Sequence, residues 1–194
     1  MTAPVLLAID FSPCSHLVTR EAGSLARALG ADVVILHVAE LPEGVTPDTP
    51  VPPAEGAPPV PAAALLTADA EARFPIYAHA LERLGVASSP RLAWGEAADT
   101  ILAVAREVSP RLIVMGTHGR TGLPLALMGS IAEHVVARAD APVVTLRTHW
   151  RSDCDDATCG LCEADLSPAQ RRVLDAARGL DVIKLSYADP ADDG

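Results

Sequence analysis

Apolar and polar positions alternate along this chain in blocks rather than singly. Val5-Leu6-Leu7-Ala8-Ile9 is a continuous apolar run that stops at Asp10, the mark of a strand buried on both faces. Ser12-Pro13 breaks the run, and Ser15 is placed to cap a helix from about 16 to 29, with Gly30 as its stop. Residues 31–38 read as a second buried strand. A strand, a helix and a strand in this order predict a parallel pair joined by a right-handed crossover.

The same alternation continues after an interruption. Between 41 and 61 prolines stand at 42, 47, 50, 52, 53, 58, 59 and 61, with acidic residues between them. Proline removes donors and biases the chain to polyproline II, so this segment is expected to be a surface loop or flap. Residues 62–84 predict a helix, stopped by Gly85 and kinked or broken at Pro75. A third strand follows over 87–94, with Pro90 placing it at a sheet edge. A third helix spans 96–108, a fourth strand 111–115, a fourth helix 131–139 and a fifth strand 141–147. The expected fold is α/β: an open five-stranded parallel sheet, order 3-2-1-4-5, with helices on both faces. Ligands of such sheets bind at the carboxyl ends of the strands, where the strand order reverses.

Composition narrows the partners. Nearly half of the 194 residues are apolar but only 3% are aromatic, so the core must be built of Ala, Val, Leu and Ile. A net charge of −10 argues against nucleic acid, whose phosphates need a basic face. No apolar stretch nears the roughly 18 residues that span a bilayer, and no basic region precedes the first apolar run. The expected compartment is therefore the cytoplasm, where cysteines serve as thiols or metal ligands rather than as a disulfide framework.

The chemistry concentrates behind the fourth strand. Gly116-Thr117-His118-Gly119 is followed by nine residues and then Gly129-Ser130, at the start of the fourth helix. Small residues after a strand let backbone amides approach a ligand, and a Gly-Ser step at a helix N-terminus offers free N–H groups and a hydroxyl to an anion. This is a strand–loop–helix phosphate cradle. It is not a Walker motif, because no Lys-Ser/Thr follows the last glycine; Lys184 is the sole lysine of the chain. Asp10, Val38 and the Gly116 loop all fall at strand carboxyl ends and converge if the predicted order holds.

Gly-x2-Gly-x9-Gly-Ser, together with Val5 to Asp10, His37-Val38, Val114 to Arg120, Gly129 to Ala132 and Ala141 to Val144, resembles the universal stress protein family over about residues 3–147. The resemblance implies a Rossmann-like fold of the adenine nucleotide alpha hydrolase type, and binding of ATP, ADP or AMP, since the full signature marks the ATP-binding branch. It places Ala8, Ile9 and Asp10 beside the nucleoside, the Val38 backbone at the adenine edge, and Met115 near the sugar. Gly116, His118 and Gly119 would line the ribose and α-phosphate, Arg120 would neutralise phosphate charge, and Gly129, Ser130 and Ile131 would hold the phosphates. A bridging Mg or Mn ion would rely on Asp10 and the phosphate oxygens. The resemblance also implies a homodimer through the fifth strand and a role in stress signalling. No nucleophile–base pair is visible in the sequence, so binding is expected ahead of efficient catalysis, with a slow ATP hydrolase as an alternative.

Residues 148–194 extend past the family's usual end and read as a short helix–strand accessory. His149, Cys154, Cys159 and Cys162 follow H-x4-C-x4-C-x2-C. Three thiolates and an imidazole would suit tetrahedral zinc. A redox-active thiol pair, an iron–sulfur cluster and ordinary reduced cysteines are the alternatives. A metal- or redox-responsive interaction protein working through this cluster is the rival to the nucleotide reading.

Overall fold

The computed structural model describes residues 2–12, 14–54, 57–117 and 129–147. His118, Gly119 and Arg120, and the whole of 148–194 with His149, Cys154, Cys159 and Cys162, lie outside the described residues. In chain order the elements are β1 (Val5–Ala8), α1 (Ser15–Leu29), β2 (Val33–Ala39), β3 (Pro50–Val51), β4 (Val60–Pro61), α2 (Ala62–Glu82), β5 (Ser88–Trp94), α3 (Ala97–Val108), β6 (Leu112–Gly116), α4 (Ser130–Arg138) and β7 (Val143–Leu146). Five of the strands form one sheet, β5-β2-β1-β6-β7, and every pair in it is parallel. With the five strands counted in chain order this is 3-2-1-4-5, as the block pattern predicts.

The continuous apolar runs are explained by two cores. Val5, Leu7, Val33, Ile35 and Val114 face one core with α1 and α2. Leu6, Ala8, Leu36, Ile113 and Met115 face the other with α3 and α4. Val5, Leu6 and Leu7 are fully buried, so the central strand has no polar face to spare. Each such side chain contributes about 1.5–3 kcal/mol relative to exposure. Helix α1 comes close to α2 because Gly23 faces it: a Cβ there would meet Leu84 Cδ1 at 2.6 Å and Leu81 Cδ2 at 2.8 Å. Gly30 ends α1 at φ +60, as expected of a glycine stop.

Four details depart from the sequence reading or refine it. The proline-rich segment contains a two-residue antiparallel pairing, β3 with β4, and its Pro47 and Thr49 carbonyls accept the first amides of α2. Helix α2 is not broken at Pro75; it runs through as one element, because Phe74, Ile76 and Tyr77 on either side of the proline are buried against the core. Ser15 is the first residue of α1 rather than its cap, and its hydroxyl turns back to Asp10. Pro90 does sit on the edge strand. Val33 N–H donates to Ala87 C=O, so in β5 the odd-numbered residues face β2 and the imide of Pro90 faces outward. Among the described residues no helix is long and apolar enough to cross a membrane.

Candidate functional site

Strand order reverses between β1 and β6, and the segments leaving these strands define a crevice. Asp10 stands two residues beyond β1. Its Oδ1 accepts the Ser12 amide and the Ser15 hydroxyl, both at 3.0 Å. Its Oδ2 is buried and has no hydrogen-bond partner among the described residues. A buried carboxylate oxygen left unpaired is costly, and such atoms mark either strain or a ligand's place.

The neighbours of Asp10 are held tightly. Phe11 takes a left-handed conformation, φ +59, which a non-glycine residue adopts at a cost of about 1–3 kcal/mol unless packing compensates. Its ring is packed against His37 at 4.0 Å, Phe74 at 5.4 Å and Tyr77 at 5.6 Å between centroids, with the Arg73 guanidinium 5.9 Å above it. His16 lies against Tyr77, with centroids 4.9 Å apart and the rings tilted by 33°, and burial pushes its pKa below the ordinary histidine value. Three of the chain's six Phe, Tyr and Trp rings are thus gathered at one loop. Composition alone gave no sign of this, because it lies in how α1, α2 and β2 meet.

Val38 supplies a second set of open groups. In β2 the odd residues pair with β5: Val33 N–H goes to Ala87, and Ala39 C=O receives Gly95 N–H. The even residues therefore face β1. That ladder ends at Ala8–Leu36, with one further bond from Ile9 N–H to Leu36 C=O. The next rung, which would engage Val38, is not made; the Ile9 carbonyl is bound instead by His37 Nδ1 at 2.9 Å. Val38 thus presents an N–H and a C=O side by side past the end of β1.

The opposite wall comes from β6 and α4. Gly116 ends β6, and Thr117 N–H donates to Leu146 C=O. Gly129 N–H donates to Thr117 C=O at 2.6 Å, which ties the start of α4 to the end of β6. The Gly129 amide is therefore committed within the protein, whereas the amides of Ser130 and Ile131, in the first turn of α4, have no intrahelical acceptors. Gly129 has φ −72 and ψ 156, a conformation open to any residue, so what glycine contributes here is the missing Cβ. Met115 is buried in the core shared with α3 and α4. Ala8 and Ile9 are likewise buried and support the crevice from below.

A cavity of about 810 Å³ opens beside this crevice, over the ends of β2 and β5. Leu41, Pro47, Thr67 and Trp94 are among its walls. Its two acidic residues cap α3: Glu40 accepts the Ala97 amide and Glu96 the Asp99 amide. The unpaired polar groups lie one strand away, at the reversal of strand order. Among the described residues no group of His, Cys, Asp and Glu is arranged to hold a metal ion.

Comparison with known proteins agrees with this architecture. The model of the universal stress protein family matches residues 1–147. A universal stress protein of Mycolicibacterium smegmatis is 33% identical over 147 residues, covering 74% of this chain and 45% of its own length. Among solved structures, the universal stress protein UspA of Lactobacillus plantarum superposes with a TM-score of 0.61 at 19% identity, over 76% of this chain and 99% of that one. The Archaeoglobus fulgidus universal stress protein in complex with dAMP gives a TM-score of 0.53 at 23% identity, over 75% of this chain and 98% of that one. The chain spans 18%, 39% and 45% of the length of the first three curated relatives it matches. On the family model and its agreement with the five-stranded sheet, the chain belongs to the universal stress protein family.

Proposed function

We propose that this chain binds an adenine nucleotide in the crevice between the ends of β1, β2 and β6, and that occupancy of the crevice is its input to stress adaptation. The observation that carries the reading is the buried Oδ2 of Asp10, which has no hydrogen-bond partner among the described residues. It is a ready acceptor for a ribose hydroxyl or a base amine. The Val38 edge supports it: a peptide N–H beside a C=O complements the N1 and amino group of adenine, whereas guanine presents the opposite polarity at both atoms. The first turn of α4, with Ser130 and Ile131, would receive phosphate through free amides and the helix dipole. Gly116 ends β6 on the same wall, and the family signature assigns His118, Gly119 and Arg120 to the same ligand. The dAMP complex of the Archaeoglobus relative is consistent with this class of ligand.

Pairing of β7 with a second copy belongs to the same reading, since Val143–Leu146 is an outer strand of the sheet. Binding rather than turnover is proposed: one carboxylate and a set of peptide groups recognise a ligand without activating water. Calorimetric titration of the full chain with ATP and with GTP tests the assignment. ATP should saturate, and GTP should bind at least about tenfold more weakly, because two mismatched polar contacts each cost about 1–3 kcal/mol. Absence of saturable uptake at millimolar adenylate overturns it. A hydrolysis assay run beside the titration separates a switch from a slow hydrolase.

A further inference from the structure

We infer that His37 is a positioning residue, a single side chain that grips both neighbours of Asp10 and so sets the distance between the two recognition groups of the crevice. The inference rests on the nucleotide reading above and adds to it a residue that contacts no ligand. His37 lies in β2, directly before Val38. Its Nδ1 is 2.9 Å from the carbonyl of Ile9, the residue before Asp10. A carbonyl only accepts, so the ring carries a proton on Nδ1. Its face lies against Phe11, the residue after Asp10, with centroids 4.0 Å apart and planes at 31°. Phe11 is the residue held in the left-handed conformation, and that turn directs the chain so that Asp10 Oδ1 meets Ser12 and Ser15.

The placement has a structural logic. Ile9 to Val38 is where the β1–β2 ladder would have continued. Continuing it would have consumed the Val38 amide. Transferring the Ile9 carbonyl to a side chain satisfies that carbonyl and leaves Val38 open. The same side chain then fixes Asp10 relative to Val38 without occupying the crevice. A plain apolar residue at 37 would pack against Phe11 but leave the Ile9 carbonyl without this donor.

Two variants separate the hydrogen bond from packing. His37→Phe keeps a ring on Phe11 and removes the donor. His37→Asn returns an N–H at nearly the Nδ1 position and removes the ring. ATP affinity measured by calorimetry should fall about tenfold or more in H37F, as expected for loss of one buried bond, and by a smaller factor in H37N, which keeps the bond to Ile9 and loses only the ring contact with Phe11. A purely packing role gives the reverse order, and that result overturns the proposal, as does equal affinity in all three proteins. If H37F does not fold, His37→Leu set against the near-isosteric His37→Asn isolates the bond to the Ile9 carbonyl with the ring absent from both. Failure of the unsubstituted chain to take up ATP removes the nucleotide reading and this inference with it; normal uptake with an unresponsive position 37 removes this inference alone.

Discussion

Replacing Asp10 by asparagine isolates the oxygen on which the ligand assignment depends. The new amide side chain would keep one carbonyl oxygen for the Ser12 amide and the Ser15 hydroxyl, both 3.0 Å from Asp10 Oδ1. Those donors also dictate which way the amide turns, because its NH2 group cannot face them. The loop should therefore hold, and the melting temperature should stay within about 4 °C of the parent. At the other position a buried acceptor with no partner becomes a donor. A hydrogen bond from ligand to a charged oxygen is worth about 1.5–3 kcal/mol, so ATP affinity should fall roughly 10- to 150-fold. Asp10→Ala provides the contrast: it also deletes both bonds inside the loop and should lower stability as well as affinity. Calorimetry gives the first quantity and thermal unfolding without nucleotide the second. If D10N bound ATP as tightly as the parent, Oδ2 would not be a ligand group and its lack of a partner would need another cause.

Four further outcomes follow from the same geometry. Gly129→Val tolerates the local backbone but places a branched side chain at the head of α4; nucleotide affinity should drop with little change in unfolding temperature. Gly23→Ala gains about 1 kcal/mol of helix propensity but drives a Cβ against Leu81 and Leu84, an overpacking of about 1–3 kcal/mol, so thermal unfolding should shift downward by a few degrees. His16 titrates below its ordinary value in the folded chain because it is buried, so the unfolded state binds its proton first as pH falls. Stability should thus be constant in this term above about pH 6.5 and decline below it toward the depressed folded value, and His16→Phe should flatten that part of a denaturation-versus-pH series. Leu6→Ala in the fully buried centre of the sheet should cost about 2–5 kcal/mol by denaturant titration.

What could be read in advance depended on range along the chain. Val5 to Ile9 announces a central strand because both of its faces are buried, a property each residue declares locally. Gly30 is legible for the same reason, since a helix stop is written in consecutive residues. The β3–β4 pairing was not legible: it engages two residues on each side, within a run of prolines that argues against any ladder. Neither was the left-handed turn at Phe11, since no local rule places an aromatic residue there; it is held by rings from β2 and α2 that are 26 and more positions away. Asp10 was recognisable as a candidate from its place after β1. That one oxygen serves the loop while the other is left over depends on Ser12 and Ser15 folding back, which spacing alone does not reveal.

The two walls of the crevice are built by different means, and this bears on where ligand free energy would go. The β1–β2 wall stands on fully buried strands and is cross-tied by the Ile9–Leu36 and His37–Ile9 bonds. The β6–α4 wall is tied by the bond from Gly129 N–H to Thr117 C=O and by that from Thr117 N–H to Leu146 C=O. A base seated on Asp10 and Val38 with phosphates on Ser130 and Ile131 would bridge both walls, whereas inorganic phosphate would engage only the second. A ligand that binds the folded chain alone stabilises it by about 2.7 kcal/mol at a hundred times its dissociation constant. For a chain of this length that corresponds to about 5–11 °C in melting temperature. ATP at that excess should therefore raise the melting temperature by this amount, and adenosine should retain part of the rise through the first wall alone. A rise with phosphate equal to that with ATP, and none with adenosine, would move recognition entirely to α4 and leave the unpaired groups of Asp10 and Val38 without a ligand.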